Sequence, residues 1–372
     1  MIAPRQHFAL TLMVNHACNL RCSYCYTGAK FSSPMSFEIG SIAIQRAFDS
    51  LSPGGSLHLG FFGGEPLLEA HRIRQWMSFA RTFATNSGKR LAFNLTTNGT
   101  ITHHDAWEIM LAHDLGLAVS FDGTPQVHDR HRRDAKGHGT ANVVQTTISR
   151  LIDANKSFSV IAVVRPDNLD QIPDALNHLY HLGVRQVNLS LDLWTTWTAA
   201  DASRLQHLVH TAAQLWRQWL PTFNLNWFDA KATALARLPV TEEITTCGFG
   251  EGEIAVAPSG RLYPCERVIG EDRPDHPLRL EGHALDGSDF LSCATDSFAR
   301  CAPCSQCALA PACDTTCRCS NFIRTGDVNR PDGLLCMLNK ATARATADAL
   351  KVSAAHAARQ NSDLERKEYC YV

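Results

Sequence analysis

Between residue 8 and about residue 193, short β-rich runs alternate with amphipathic stretches, and this alternation narrows the fold more than any other feature of the chain. The runs are "FALTLMVN", "LHLGFFGG", "LAFNLTTNG", "LAVSFDG", "FSVIAVV" and "VRQVNLSLDL", each bounded by Gly, Asp, Asn or Pro. The stretches between them cover residues 36–51, 68–84, 104–113, 142–153 and 172–182. A strand that returns through a helix lies parallel to its predecessor, so six repeats predict a parallel sheet, either a partial barrel or a doubly wound fold. In both, ligands gather beyond the C-terminal ends of the strands. The unusual loops lie there: CxxxCxxC (Cys18, Cys22, Cys25) after the first strand, GGEP after the second, TTNG after the third and SFDG after the fourth. Four strand ends are thus expected to face one site.

The cysteines supply the chemistry. Fourteen occur in 372 residues, in a chain whose 45% apolar content builds a large core without staples. The first 15 residues lack a cationic leader and a small-residue cleavage site, and no run approaches the roughly 20 apolar residues of a membrane span, so a cytoplasmic, unanchored protein is expected. A net charge of −1 and the absence of a Lys/Arg run argue against nucleic acid as a partner. In a reducing compartment the cysteines read as metal or cluster ligands. Three stand at 18, 22 and 25, and the other eleven follow from 247 onward, which predicts two separate metal regions. Three thiols with no fourth Cys or His nearby do not close a structural zinc site; they suit a [4Fe–4S] cube with one iron left open. The second region, Cys247, Cys265, Cys304, Cys307, Cys313, Cys317 and Cys336, taken alone also reads as a zinc ribbon. Its Gly- and Pro-rich segment predicts loops held by metal. Residues 199–220 and 339–358 read as helices, and 221–246 as a connector.

CxxxCxxC after the first strand, Tyr24 before the third cysteine and GGEP after the second strand resemble the radical S-adenosylmethionine (radical SAM) superfamily, and the later seven-cysteine order resembles its SPASM extension. The resemblance implies a partial (βα)6 TIM-like barrel followed by a Cys-rich, loop-rich SPASM domain with iron–sulfur clusters. In chain order it implies a barrel at 1–200, a helical bridge at 201–246, the SPASM domain at 247–340, and a C-terminal helix and tail at 341–372. It further implies S-adenosyl-L-methionine as cofactor with three [4Fe–4S] clusters. Reductive cleavage of SAM at the first would give a 5′-deoxyadenosyl radical that takes hydrogen from a substrate.

Residue by residue, Cys18, Cys22 and Cys25 would hold the first cluster. Gly63 and Gly64 would let the backbone approach the SAM ammonium, and Glu65 would accept from it. Tyr24 would lie by the adenine, Ser120 by the ribose, and Arg132 by the carboxylate, chosen over Arg133 on the HD-x-x-R-x-D register. Asn98 and Leu193 would add ribose and adenine contacts. Cys304, Cys307, Cys313 and Cys336 would ligate an outer auxiliary cluster, and Cys247, Cys265 and Cys317 an inner one. The inner cluster lacks a cysteine in "GFGEGEIAV", so it is expected to keep an open iron or to recruit Cys293, Cys301, Cys319 or Cys370.

SPASM proteins act mainly on peptides or proteins. The implied function is oxidation or crosslinking of side chains in a ribosomally made peptide, with an external electron donor of flavodoxin or ferredoxin type. Alternatives are formylglycine formation in a sulfatase and dehydrogenation of a small molecule. Glu266, after "GRLYPC", stands where sulfatase-maturating members carry an Asp base, and is a candidate base. Trp194 and Trp197 are candidates to line the substrate mouth. The pairs His103–His104 and His128/His131 are expected to be solvated.

Overall fold

The computed structural model describes residues 3–236, 248–293, 304, 306–310, 313 and 317–350. Cys247, Cys301 and Cys370 lie outside the described residues. Along the chain the elements are β1 (Arg5–Asn15), α1 (Phe37–Asp49), β2 (Leu51–Gly63), α2 (Ala70–Ser87), β3 (Arg90–Thr97), α3 (His104–Met110), β4 (Leu115–Ser120), α4 (Pro125–His131) and α5 (Ala141–Asp153). There follow β5 (Phe158–Val164), α6 (Ile172–Leu182), β6 (Gln186–Leu191), α7 (Ala199–Trp219), β7 (Asn224–Leu225), α8 (Asn226–Ala236), β8 (Glu253–Val256), β9 (Leu262–Tyr263), α9 (Arg318–Thr325) and α10 (Gly333–Leu350). All six expected strands form.

The chain packs as two units that interleave in sequence. The first comprises Met1–Phe121, His128–Phe158 and Gly248–Asp296; the second comprises Asp122–Val127, Ser159–Cys247 and Ser297–Val372.

In the first unit the strands lie in the order β4-β3-β2-β1-β8-β9, parallel throughout except for the β8–β9 hairpin. In the second, β5, β6 and β7 lie side by side and parallel. Within the units, β1 to β4 and β5 to β7 each lie beside their neighbours in sequence order, a singly wound arrangement. β1 is buried on both faces at its C-terminal half, with Leu10, Leu12, Met13 and Val14 all at 1% exposure or less, which explains its near-continuous apolar run. Ser36 starts α1 by accepting the N–H of Ile39 at 3.1 Å, and Thr198 and Asp201 form a reciprocal cap on α7.

In the second unit α10 packs on α7 and α8, and the buried Lys231 ammonium donates to Asn339 Oδ1 at 2.7 Å. This helix begins six residues before the expected start at 339, because Leu334, Leu335 and Leu338 continue its apolar spacing through Cys336. No described helix is long and apolar enough to cross a membrane.

Candidate active site

β1 ends at Asn15 and runs directly into the cysteine loop, which two neighbouring strand ends of the first unit hold in place. Gly64 N–H donates to Asn15 O at 3.0 Å, and Glu65 N–H to Ala17 O at 2.9 Å. A Cβ on Gly63 would lie 2.5 Å from Asn15 O, and one on Gly64 2.2 Å from Ala17 O, so neither position accepts a side chain. Gly63 also has φ of +155°. The glycine pair is therefore required by the chain's own backbone, beside the part expected of it toward SAM.

Glu65 is fully buried. Its carboxylate accepts the N–H of Asn98 at 2.7 Å, the hydroxyl of Thr97 at 2.8 Å and the N–H of Leu67 at 3.0 Å. Burial pushes its pKa up to about 7 against these three donors. Asn98 in turn reaches the cysteine loop, donating from Nδ2 to Asn19 Oδ1 at 2.9 Å and lying 3.9 Å from Cys18 Sγ. Asn19 closes the circuit on Thr100 Oγ1 at 2.7 Å. GGEP and TTNG thus meet at Cys18, and Glu65 is the brace between them.

The thiols are half-buried and prepared unequally. Burial raises the pKa of Cys18 to about 11, although Leu20 N–H donates to its sulfur at 3.3 Å. At Cys25 burial also opposes ionisation, but the Thr27 hydroxyl and the Lys30 ammonium outweigh it and the thiol lies below its ordinary value. Donors aimed at sulfur favour thiolate, the form that ligates iron, and the three thiols on one short loop fit the cluster that CxxxCxxC implies.

The far side of the loop is held by the segment after α4. Arg21 N–H donates to Arg133 O at 2.7 Å, Ser23 N–H to His131 O at 3.0 Å, and Ser23 Oγ pairs with His131 Nδ1 at 2.7 Å. The Arg132 guanidinium stacks 5.2 Å from the centre of the Tyr24 ring and is 7% exposed, whereas Arg133 is exposed and donates to Gly137 O. Tyr24 and Arg132, far apart in sequence, are brought together. Ser120 is half-buried at the end of β4.

The expectation that His128 and His131 are solvated is overturned. His128 is 0% exposed and pairs with Thr140 Oγ1, and His131 is 8% exposed against the cysteine loop. Their burial follows from α4, a seven-residue helix too short to leave a periodic signal. Asp129 of the same motif accepts from Thr140 and Ala141 N–H at 2.7 and 2.8 Å, starting α5. His103 and His104 are exposed, as expected. Sequence reasoning missed Ser23, Asn19 and Thr97 altogether, since single polar loop residues carry no pattern.

Also in the first unit, Cys265 is buried and its thiol lies 3.6 Å from Glu266 Oε2. Cys293 is half-buried, 4.0 Å from Arg46 Nη2. In the second unit Leu193 is buried; Arg324 donates to its carbonyl at 3.2 Å and to that of Thr195 at 3.1 Å. Trp197 ties its indole N–H to Asp192 O at 2.9 Å, and Trp194 is 45% exposed. Cys304, Cys307, Cys313, Cys317 and Cys336 are half-buried, and the Cys307 loop packs through Leu309 on Ala343 of α10, the helix that carries Cys336. Cys319 is buried with its sulfur 3.4 Å from that of Cys317.

A parallel sheet with a three-thiol loop at the end of its first strand is the arrangement that the radical SAM resemblance implies. Residues 12–179 match the family described as the radical SAM superfamily, and the chain carries that domain, with its SAM and iron–sulfur cofactors. The chain is 23% identical over 354 residues to a cysteine-type anaerobic sulfatase-maturating enzyme of Clostridium novyi, covering 87% of this chain and 91% of that one. Its fold is similar to that of anSMEcpe solved with AdoMet and the Kp18Cys peptide, with a TM-score of 0.74 at 18% identity over 92% of this chain and 98% of the other. It is also similar to that of Streptococcus suis SuiB bound to precursor peptide SuiA, with a TM-score of 0.62 at 14% identity over 90% and 76%.

Proposed function

We propose that the chain modifies a peptide or protein side chain by SAM-dependent radical oxidation, giving an oxidised or crosslinked ribosomal peptide. The observation that carries this reading is the convergence on one cysteine loop of Glu65, Asn98, Tyr24 and Arg132. With SAM and a reduced cluster bound, the site would supply reductive cleavage of the sulfonium and hydrogen-atom abstraction. Cys18, Cys22 and Cys25 hold the cluster; Arg132 faces the SAM carboxylate and Tyr24 its adenine; Gly63 and Gly64 bring backbone to its ammonium. Ser120, Asn98 and Leu193 are assigned to ribose and adenine. Glu65 accepts from the SAM ammonium and keeps the two loops in register. Two structural relatives hold peptides, anSMEcpe the Kp18Cys peptide and SuiB the precursor peptide SuiA, which supports a peptide substrate.

The later cysteines are assigned to two auxiliary [4Fe–4S] clusters: Cys304, Cys307, Cys313 and Cys336 to one, Cys247, Cys265 and Cys317 to the other. They would accept the substrate's electron, and a flavodoxin- or ferredoxin-type donor would reduce the first cluster. Sulfatase maturation is the second reading, favoured by the likeness to the sulfatase-maturating enzyme of Clostridium novyi; in it Glu266, beside Cys265, would serve as base where such members carry an Asp.

Anaerobic reconstitution of the wild type and of a Cys18/Cys22/Cys25→Ala triple variant tests the core of this. About twelve irons falling to about eight, with loss of 5′-deoxyadenosine formation under dithionite, is expected. Bound zinc without SAM cleavage overturns it. Turnover of Cys- or Ser-containing sulfatase peptides to formylglycine, set against turnover of short precursor peptides, separates the two substrate readings.

A further inference from the structure

We propose that Glu253 is a carboxylate ligand to the iron–sulfur centre that Cys265 holds, an inference that rests on the auxiliary-cluster reading above. The β8–β9 hairpin pairs Ala255 with Tyr263 and Val256 with Leu262. Continuing that register by one same-face step sets Glu253 opposite Cys265, and residues directly opposite in an antiparallel pair project from the same face. The side chains follow the register: Glu253, Cys265 and Glu266 each offer a ligand atom, and the three atoms lie within 4.8 Å of one another.

Glu253 is built on a fixed backbone. It pairs with Ala9 of the central strand β1, and its carbonyl accepts Gly250 N–H at 2.9 Å. Glu266 instead opens a three-residue 3-10 turn. One thiol and two carboxylates thus present donor atoms to a single point, a mixed set that a metal ion accepts. Glutamate's three side-chain torsions let it adjust to the iron it meets. The inner centre thereby gains a non-thiolate ligand, and Cys293, Cys301, Cys319 and Cys370 are not needed to complete it.

The test is anaerobic reconstitution of the full chain with Glu253→Gln, Glu253→Cys, Glu266→Gln, Cys319→Ala and Cys265→Ala. Each is read by iron and sulfide content, by the EPR spectrum of the reduced protein, and by the rate of iron release to a chelator. Thermal unfolding of the apo forms controls for folding. The expected result is an altered auxiliary EPR signal and iron release at least several-fold faster in Glu253→Gln. Glu253→Cys should restore slow release with a changed signal, and Glu266→Gln and Cys319→Ala should match the wild type. A wild-type signal and release rate in Glu253→Gln, or the same change produced by Glu266→Gln or Cys319→Ala instead, overturns the inference while loss of about four irons in Cys265→Ala leaves the auxiliary cluster standing. If Cys265→Ala keeps every iron, the auxiliary-cluster reading itself falls.

Discussion

Glu65 Oε2 accepts the backbone N–H of Asn98 at 2.7 Å, joining the loop after β2 to the loop after β3. The bond is buried, and Asn98 passes the constraint on to Cys18 and Asn19. A carboxylate in that place carries a pH signature. The folded-state pKa is about 7 against an ordinary 4.5, raised by burial, so the folded chain holds the proton more tightly than the unfolded chain. The contribution of this group to stability is therefore fully present below about pH 4.5 and is lost as pH rises through about 7, by about 3 kcal/mol. Denaturant unfolding of the apoprotein from pH 5 to 8 should show this slope in the wild type relative to Glu65→Gln. A pH-independent difference between the two would refute it.

Gly64→Ala places a methyl group against Ala17 O, a backbone atom that cannot rotate aside. The expected cost is about 1–3 kcal/mol, with the cysteine loop displaced. Iron counts after reconstitution should fall by about four, from the first site alone. Full iron loading together with unchanged thermal stability would show that the loop tolerates the shift.

Arg132 and Arg133 are adjacent cations with opposite environments, one stacked on Tyr24 and buried, the other exposed. A charged hydrogen bond to the SAM carboxylate is worth about 1.5–3 kcal/mol, so Arg132→Ala should weaken SAM binding by about 10- to 100-fold. Arg133→Ala should stay within about twofold, because a solvated charge contributes little. Equilibrium SAM titration of the reconstituted variants decides, and equal losses would remove the assignment.

Arg46 of α1 is 4% exposed and caps the loop at 283–289. It donates to His283 O at 2.7 Å, Ala284 O at 3.0 Å and Asp289 O at 2.6 Å, while its guanidinium lies 4.1 Å from the Phe290 ring centre. Arg46→Met orphans these carbonyls and should cost about 3 kcal/mol in thermal or chemical unfolding. Arg46→Lys should recover little, since an ammonium cannot span the planar fork. A Lys variant as stable as the wild type would contradict this reading of the contact.

The strand runs, the cysteine spacing and the GGEP and TTNG loops were legible in the sequence, because period-2 burial and short-range ligand spacing are local properties that neighbouring residues write into one another. From these came the parallel sheet, the position of the site at the strand ends and the class of chemistry. A motif register separates Arg132 from Arg133 in the sequence, but the packing of Arg132 on the Tyr24 ring, more than a hundred residues away, exists only in the folded chain. The burial of His128 and His131, the bracing role of Glu65 and the meeting of Glu253 with Cys265 across a hairpin were likewise decided by tertiary structure. Each depends on which strand ends become neighbours. Sheet register and chain crossover set that, and neither leaves a mark on the local sequence.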